Sequence, residues 1–92
     1  MNFGEALEAL KAGKKVARKG WNGKGMFLYL TTGSDVPYSK LKAETQKALI
    51  TYPHSTVKIN GHIDMKAADD SIVVGWLASQ TDMLAEDWQL VN

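Results

Sequence analysis

Val16-Ala17-Arg18-Lys19-Gly20-Trp21-Asn22-Gly23-Lys24-Gly25-Met26-Phe27-Leu28-Tyr29-Leu30 reads as two short strand patterns flanking a glycine-rich loop. Side chains alternate along a strand, so Val16 and Arg18 share one face of the first run, Lys15 to Lys19. With Val16 pointing inward, Arg18, the single arginine of the chain, falls at the margin of buried surface. Gly20 to Gly25 forms a turn-rich loop. Met26 to Leu30 is the second strand, with faces Met26/Leu28/Leu30 and Phe27/Tyr29. Neither face is polar, whereas a small antiparallel sheet normally keeps one side wet.

Upstream, Phe3, Ala6, Leu7 and Leu10 recur at helical spacing and predict an amphipathic helix over 3–12. Asn2 and Glu5 have the spacing of a capping box, and Gly13 supplies a stop. Downstream, Ser71 to Leu77 repeats the doubly apolar strand pattern, with Ile72/Val74/Trp76 on one side and Val73/Leu77 on the other. One short helix covers one sheet face, so the other is expected to meet a second subunit. Ser39 to Ile50 is a candidate helix with a thin apolar stripe, ended by Tyr52-Pro53. Asn60-Gly61 is a hairpin signal; a three-residue loop there pairs Val57 with Ile63 and puts Lys58, His62 and Asp64 on the opposite face. Ala67 to Asp70 reads as a turn. Thr81 or Asp82 caps a short helical turn through Asp87, and Trp88 to Val91 closes the chain as a last strand. The expected fold class is α+β, a small antiparallel sheet with an N-terminal helix and short additional helices.

The 92 residues are of one-domain size, so 1–92 is taken as one domain. With no cysteine there is no disulfide, thiolate nucleophile or thiolate metal site. No apolar run approaches the roughly 20 residues of a membrane span, and a helix carrying Glu5 and Glu8 does not read as a signal peptide. Net charge is only +1, which implies no bulk attraction to nucleic acid or anionic lipid. Its distribution is uneven. Between Ala9 and Ser34 lie Lys11, Lys14, Lys15, Arg18, Lys19 and Lys24 with no acid, whereas from Asp64 onward Asp64, Asp69, Asp70, Asp82, Glu86 and Asp87 face the single Lys66.

The catalytic inventory is poor. His54 and His62 match no compact metal motif, the glycine spacing is neither a P-loop nor a dinucleotide fingerprint, and the neighbouring carboxylates Asp69-Asp70 and Glu86-Asp87 read as solvated turns or helix-end charges rather than an acid–base dyad. No catalytic residue, metal or cofactor is assigned. The glycine loop suits instead a ligand with a flat ring and negative charge. Trp21 offers a stacking platform, although most tryptophans fold back onto the core. Asn22 offers an amide to a base edge, or stabilises the turn. Arg18 can grip a pyrophosphate, or pair with Asp82, Glu86 or Asp87.

The opening Met1-Asn2-Phe3-Gly4-Glu5-Ala6-Leu7, the segment Lys15 to Leu28 and the ending Trp76-Leu77-Ala78-Ser79-Gln80-Thr81-Asp82-Met83-Leu84-Ala85-Glu86-Asp87-Trp88 resemble the second type of Thoeris anti-defence protein, a small phage and prophage family. The stretch Ser34 to Met65 carries no matching string. The resemblance implies a homotetramer working in the cytoplasm of the infected bacterium. It implies a sponge that sequesters cyclic ADP-ribose isomers, such as glycocyclic ADP-ribose, made by TIR-domain enzymes and leaves them chemically intact. Some members also hold cyclic oligonucleotides at a separate site. No polymeric nucleic acid and no membrane are expected as partners. Assigned by chemistry onto the matching motifs, Trp21 or Tyr29 stacks on the base, Arg18 and Lys19 meet phosphates, and Asn22, Ser79 and Asp82 meet base edge or hydroxyls. Met26, Thr81 and Met83 complete the candidate ligand site. The glycine loop of one subunit is expected near the Thr81-Asp82-Met83 turn of another. A hydrolase of the same nucleotide, a small nucleic-acid module and a protein-binding inhibitor are the rival readings; near-neutral net charge weighs against the nucleic-acid module.

Overall fold

Asn2 starts the first helix, α1 (Phe3–Lys11), through a reciprocal cap: its Oδ1 accepts from Glu5 N at 2.8 Å, and Glu5 Oε1 accepts from Asn2 N at 2.9 Å. This satisfies two of the donors a helix start leaves open. Ala6 and Leu10 are buried, with Phe3 and Leu7 packed beside them, while Glu5, Glu8 and Lys11 stay exposed. A computed structural model describes residues 1–21 and 23–92; the expected role of Asn22 lies outside the described residues.

Two compact units emerge, one from Met1–Thr31 with His62–Asn92, the other from Thr32–Gly61. In the first, the strands are β1 (Lys15–Arg18), β2 (Phe27–Thr31), β5 (His62–Lys66), β6 (Ile72–Val73) and β7 (Trp88–Val91), ordered β6-β5-β2-β1-β7 and antiparallel throughout. Pairing of Val16 with Leu28 and of Leu28 with Met65 sets three apolar side chains side by side on one face. There they join Ala6, Leu10 and Trp88 as the core. Alternation sends Phe27 and Tyr29 to the other face. The architecture is α+β, with α1 joined by two shorter helices, α2 (Ala43–Ala48) and α3 (Gln80–Leu84).

In the second unit, β3 (Ser34–Pro37) pairs with β4 (Thr56–Ile59), Val36 opposite Val57. A single 3₁₀ turn, Tyr38–Lys40, and α2 lie between them. The continuous helix expected over 39–50 is therefore broken. Leu41 is extended, Lys42 offers no side-chain cap, and α2 buries none of its residues, so neither end nor face sustains a longer helix.

Three further expectations are corrected. Asn60-Gly61 does not turn a hairpin: β4 pairs with β3, and β5 pairs with β2, so Ile63 sits opposite Leu30 rather than Val57. β3 escaped notice because Ser34-Asp35-Val36-Pro37 shows no apolar alternation. The strand expected over 71–77 stops at Val73, since Gly75 turns the chain at φ +79° and Trp76 N donates instead to Ile63 O at 2.7 Å. Its Ile72, Val73, Val74 and Leu77 are exposed in the single chain. Finally, Ser79 rather than Thr81 or Asp82 caps α3: Ser79 Oγ accepts from Asp82 N, and Asp82 Oδ2 accepts from Ser79 N.

Candidate functional site

β1 delivers Arg18 to the mouth of the glycine loop directly opposite Trp88 of β7. That register brings the segment between α3 and β7 alongside the loop. Arg18 Nη1 donates to Asp82 Oδ1 at 3.0 Å and Nε donates to Asp87 Oδ1 at 2.9 Å, with a longer Nη2 contact to Asp87 Oδ2 at 3.4 Å. Gly20 N donates to Asp87 Oδ2 at 2.8 Å, and Lys19 N donates to the Asp87 carbonyl at 3.1 Å. No larger residue fits at position 20 without movement, because a Cβ there would lie 2.9 Å from Asp87 Oδ2.

Trp21 follows as the half-buried ring of an aromatic cluster. It meets Trp88 edge-on at 5.5 Å and Trp76 at 6.4 Å, and its Nε1 points to Asp82 Oδ1 at 3.5 Å. Asp82 therefore takes donors from Arg18 and Trp21 on one oxygen and from Ser79 N on the other, while its carbonyl accepts from Trp88 Nε1 at 3.0 Å. The glycine loop and the Asp82 turn thus meet within one chain, without a second subunit being needed to bring them together.

The electrostatics follow from this geometry. Burial pushes the Asp82 carboxyl up, but hydrogen bonds from Arg18 and Ser79 outweigh it and hold the group below its ordinary value. Asp87 is lowered chiefly by its hydrogen bonds from Arg18, despite some desolvation, with Gly20 N helping. Arg18 is raised above its already high value by the same two partners. One cation faces two ionised carboxylates, so the cluster is net negative and the guanidinium is occupied by protein. Exposed Lys19 and Lys24 are the positive groups the loop presents outward.

The remaining candidates divide. Ser79 joins the cluster through Asp82; Thr81 and Met83 lie exposed on α3. Met26 packs against the core. Tyr29 stands apart, on the opposite sheet face, with Phe27 at 6.2 Å and Asp64 as its cross-strand neighbour. Beside it lies a cluster the sequence reading missed. Asp64, 3% exposed, accepts from Thr31 Oγ1 at 2.6 Å, Gly75 N at 3.0 Å and His62 Nδ1 at 2.7 Å. Burial raises this carboxyl; the three hydrogen bonds pull it further the other way, to a net lowered pKa. Strand alternation already put His62 and Asp64 on one face. Thr31 joins them only through the β2–β5 pairing, which no local pattern announces.

The profile of the Thoeris anti-defense 2-like domain matches residues 1–91. A protein of Bacillus phage SP01 named Thoeris anti-defense 2 is 46% identical over 92 residues, covering all of this chain and 96% of that protein.

Proposed function

Because this chain belongs to the Thoeris anti-defense 2-like family, we propose that it disarms a bacterial defence by sequestering that system's cyclic ADP-ribose signal, without chemical change, in the host cytoplasm. The observation carrying this reading is the convergence of Trp21, Arg18 and Asp82 at the glycine loop. A cyclic ADP-ribose isomer combines a purine, ribose hydroxyls and a pyrophosphate. The half-buried Trp21 ring offers a surface for the base. Asp82 and Ser79, bordered by Thr81 and Met83, offer acceptors for hydroxyls. Exposed Lys19 and Lys24 offer positive charge to the phosphates, while Arg18 fixes the loop to the acidic turn. Sequestration needs affinity and no reacting group, so a preformed loop on a rigid sheet suits it better than it suits hydrolysis.

The same reading takes the protein to be a homo-oligomer, a tetramer as the family resemblance implies. Ile72, Val73, Val74 and Leu77 support it, forming an unguarded apolar strip along and beyond the sheet-edge strand β6. Exposed strand edges in soluble proteins are normally blunted by charge or covered.

The decisive experiment mixes the protein with the product of a TIR-domain enzyme, measures binding by calorimetry, then releases the ligand by heat and identifies it by mass spectrometry. Recovery of the intact cyclic nucleotide is expected. Recovery of a cleaved product makes the protein a hydrolase and overturns the reading, as does failure to retain any nucleotide. A single-stranded oligonucleotide run in parallel is expected not to bind.

A further inference from the structure

We propose that Asp87 is a positioning residue for the glycine loop: it sets the conformation in which the loop meets its ligand without touching that ligand. This rests on reading the loop as the ligand site. Asp87 lies between α3 and β7, and it engages three consecutive residues where β1 runs into the loop. Its Oδ1 holds Arg18 Nε at 2.9 Å, its Oδ2 holds Gly20 N at 2.8 Å, and its carbonyl holds Lys19 N at 3.1 Å. Trp21 N then donates back to Arg18 O at 3.3 Å, closing the turn that aims the indole at Asp82. A single carboxylate thus bridges a side-chain cation and a backbone amide two residues apart. Among the described residues no other acid in the cluster does both: Asp82 meets Arg18 and the Trp21 ring but no described loop amide.

The division of labour follows from the chemistry. Asp82 orients the ring, and Asp87 fixes the backbone that carries it. A loop ordered during folding needs no further ordering when a rigid cyclic nucleotide arrives, and that saved entropy appears as affinity. The placement also explains glycine at position 20. Its amide must approach Oδ2 closely, and a methyl group there would press on the same oxygen at 2.9 Å.

The test compares Asp87→Asn with the charge-matched control Glu86→Gln at the exposed neighbouring acid. Two quantities are read at a temperature where each variant is folded: amide hydrogen exchange at Lys19 and Gly20, and calorimetric affinity for glycocyclic ADP-ribose. In Asp87→Asn a side-chain N–H₂ replaces one acceptor oxygen and faces a donor. Exchange at Gly20 is expected to accelerate and affinity to fall by about tenfold or more, with Glu86→Gln matching the wild type in both. Should Asp87→Asn not fold, Gly20→Ala serves instead; its methyl group presses on Asp87 Oδ2 at 2.9 Å while keeping the carboxylate charge opposite Arg18, and both changes are expected in the same direction. Wild-type affinity in a folded variant whose loop exchanges faster overturns the proposal, as does unchanged exchange. If the wild-type protein itself fails to bind the nucleotide, the ligand reading of the loop fails first and this proposal falls with it. The wild-type arm tells that failure from the others.

Discussion

Replacing Trp21 by alanine separates what this ring does for the fold from what it does for a ligand. The ring meets Trp88 and Trp76 edge-on, at 5.5 and 6.4 Å. Each such pair contributes about 0.5–1.5 kcal/mol beyond area burial, so losing two costs about 1–3 kcal/mol. In a chain of this length each kcal/mol moves Tm by about 4–8 °C, and the expected fall is on the order of 10 °C. Trp21→Phe keeps one ring in the cluster and loses the rest of the indole with its long Nε1 contact to Asp82, so its Tm falls less than that of Trp21→Ala. Stacking of a base on an aromatic contributes about 1–3 kcal/mol, which converts to a loss of about 5- to 150-fold in affinity. Calorimetry with glycocyclic ADP-ribose, on variants shown folded by circular dichroism, is expected to rank wild type above Trp21→Phe above Trp21→Ala. Wild-type affinity in folded Trp21→Ala removes the stacking role. An unchanged Tm removes the packing role, and with it the account of why the loop folds back.

Leu28 is fully buried between α1 and the central strands, so Leu28→Ala is expected to lose about 3–5 kcal/mol in urea unfolding; a loss below about 1 kcal/mol would place the core elsewhere. Asp64, Asp82 and Asp87 all titrate below their ordinary value of 3.8. Each therefore stabilises the fold above that pH and loses its contribution as pH falls through the lowered folded value. The urea midpoint is expected to hold near neutrality and drop steeply in acid, and a profile flat through that window would show the carboxylates unpaired. Val74→Glu combined with Leu77→Glu alters residues exposed in the single chain, so light scattering is expected to show smaller assemblies at an unchanged helix content. Wild-type assembly would exclude this strip from the interface.

What the sequence determined by itself was local. The Asn2–Glu5 cap and the spacing of Ala6 and Leu10 sufficed for α1, because a helix draws its hydrogen bonds and its buried face from residues three and four apart. Strands β1 and β2 were legible as short runs between Gly13, Gly20, Gly25 and Gly33, and β7 as the closing run Trp88 to Val91. So was the alternative of Arg18 paired with Asp82 or Asp87, since a lone arginine beside a later acidic run invites neutralisation. Pairing was not legible. Asn60-Gly61 is a strong turn signal, yet whether β4 meets β5 depends on a competing partner for each, and β3 showed no pattern to announce itself. Only the tertiary structure decided which acid serves the loop, that Tyr29 and Trp21 stand on opposite sides of the sheet, and that Thr31, His62 and Gly75 converge on a buried Asp64. These contacts join residues from 11 to 69 positions apart, except for His62 and Asp64. The energy of a distant contact depends on the whole sheet register, which no local window of sequence contains.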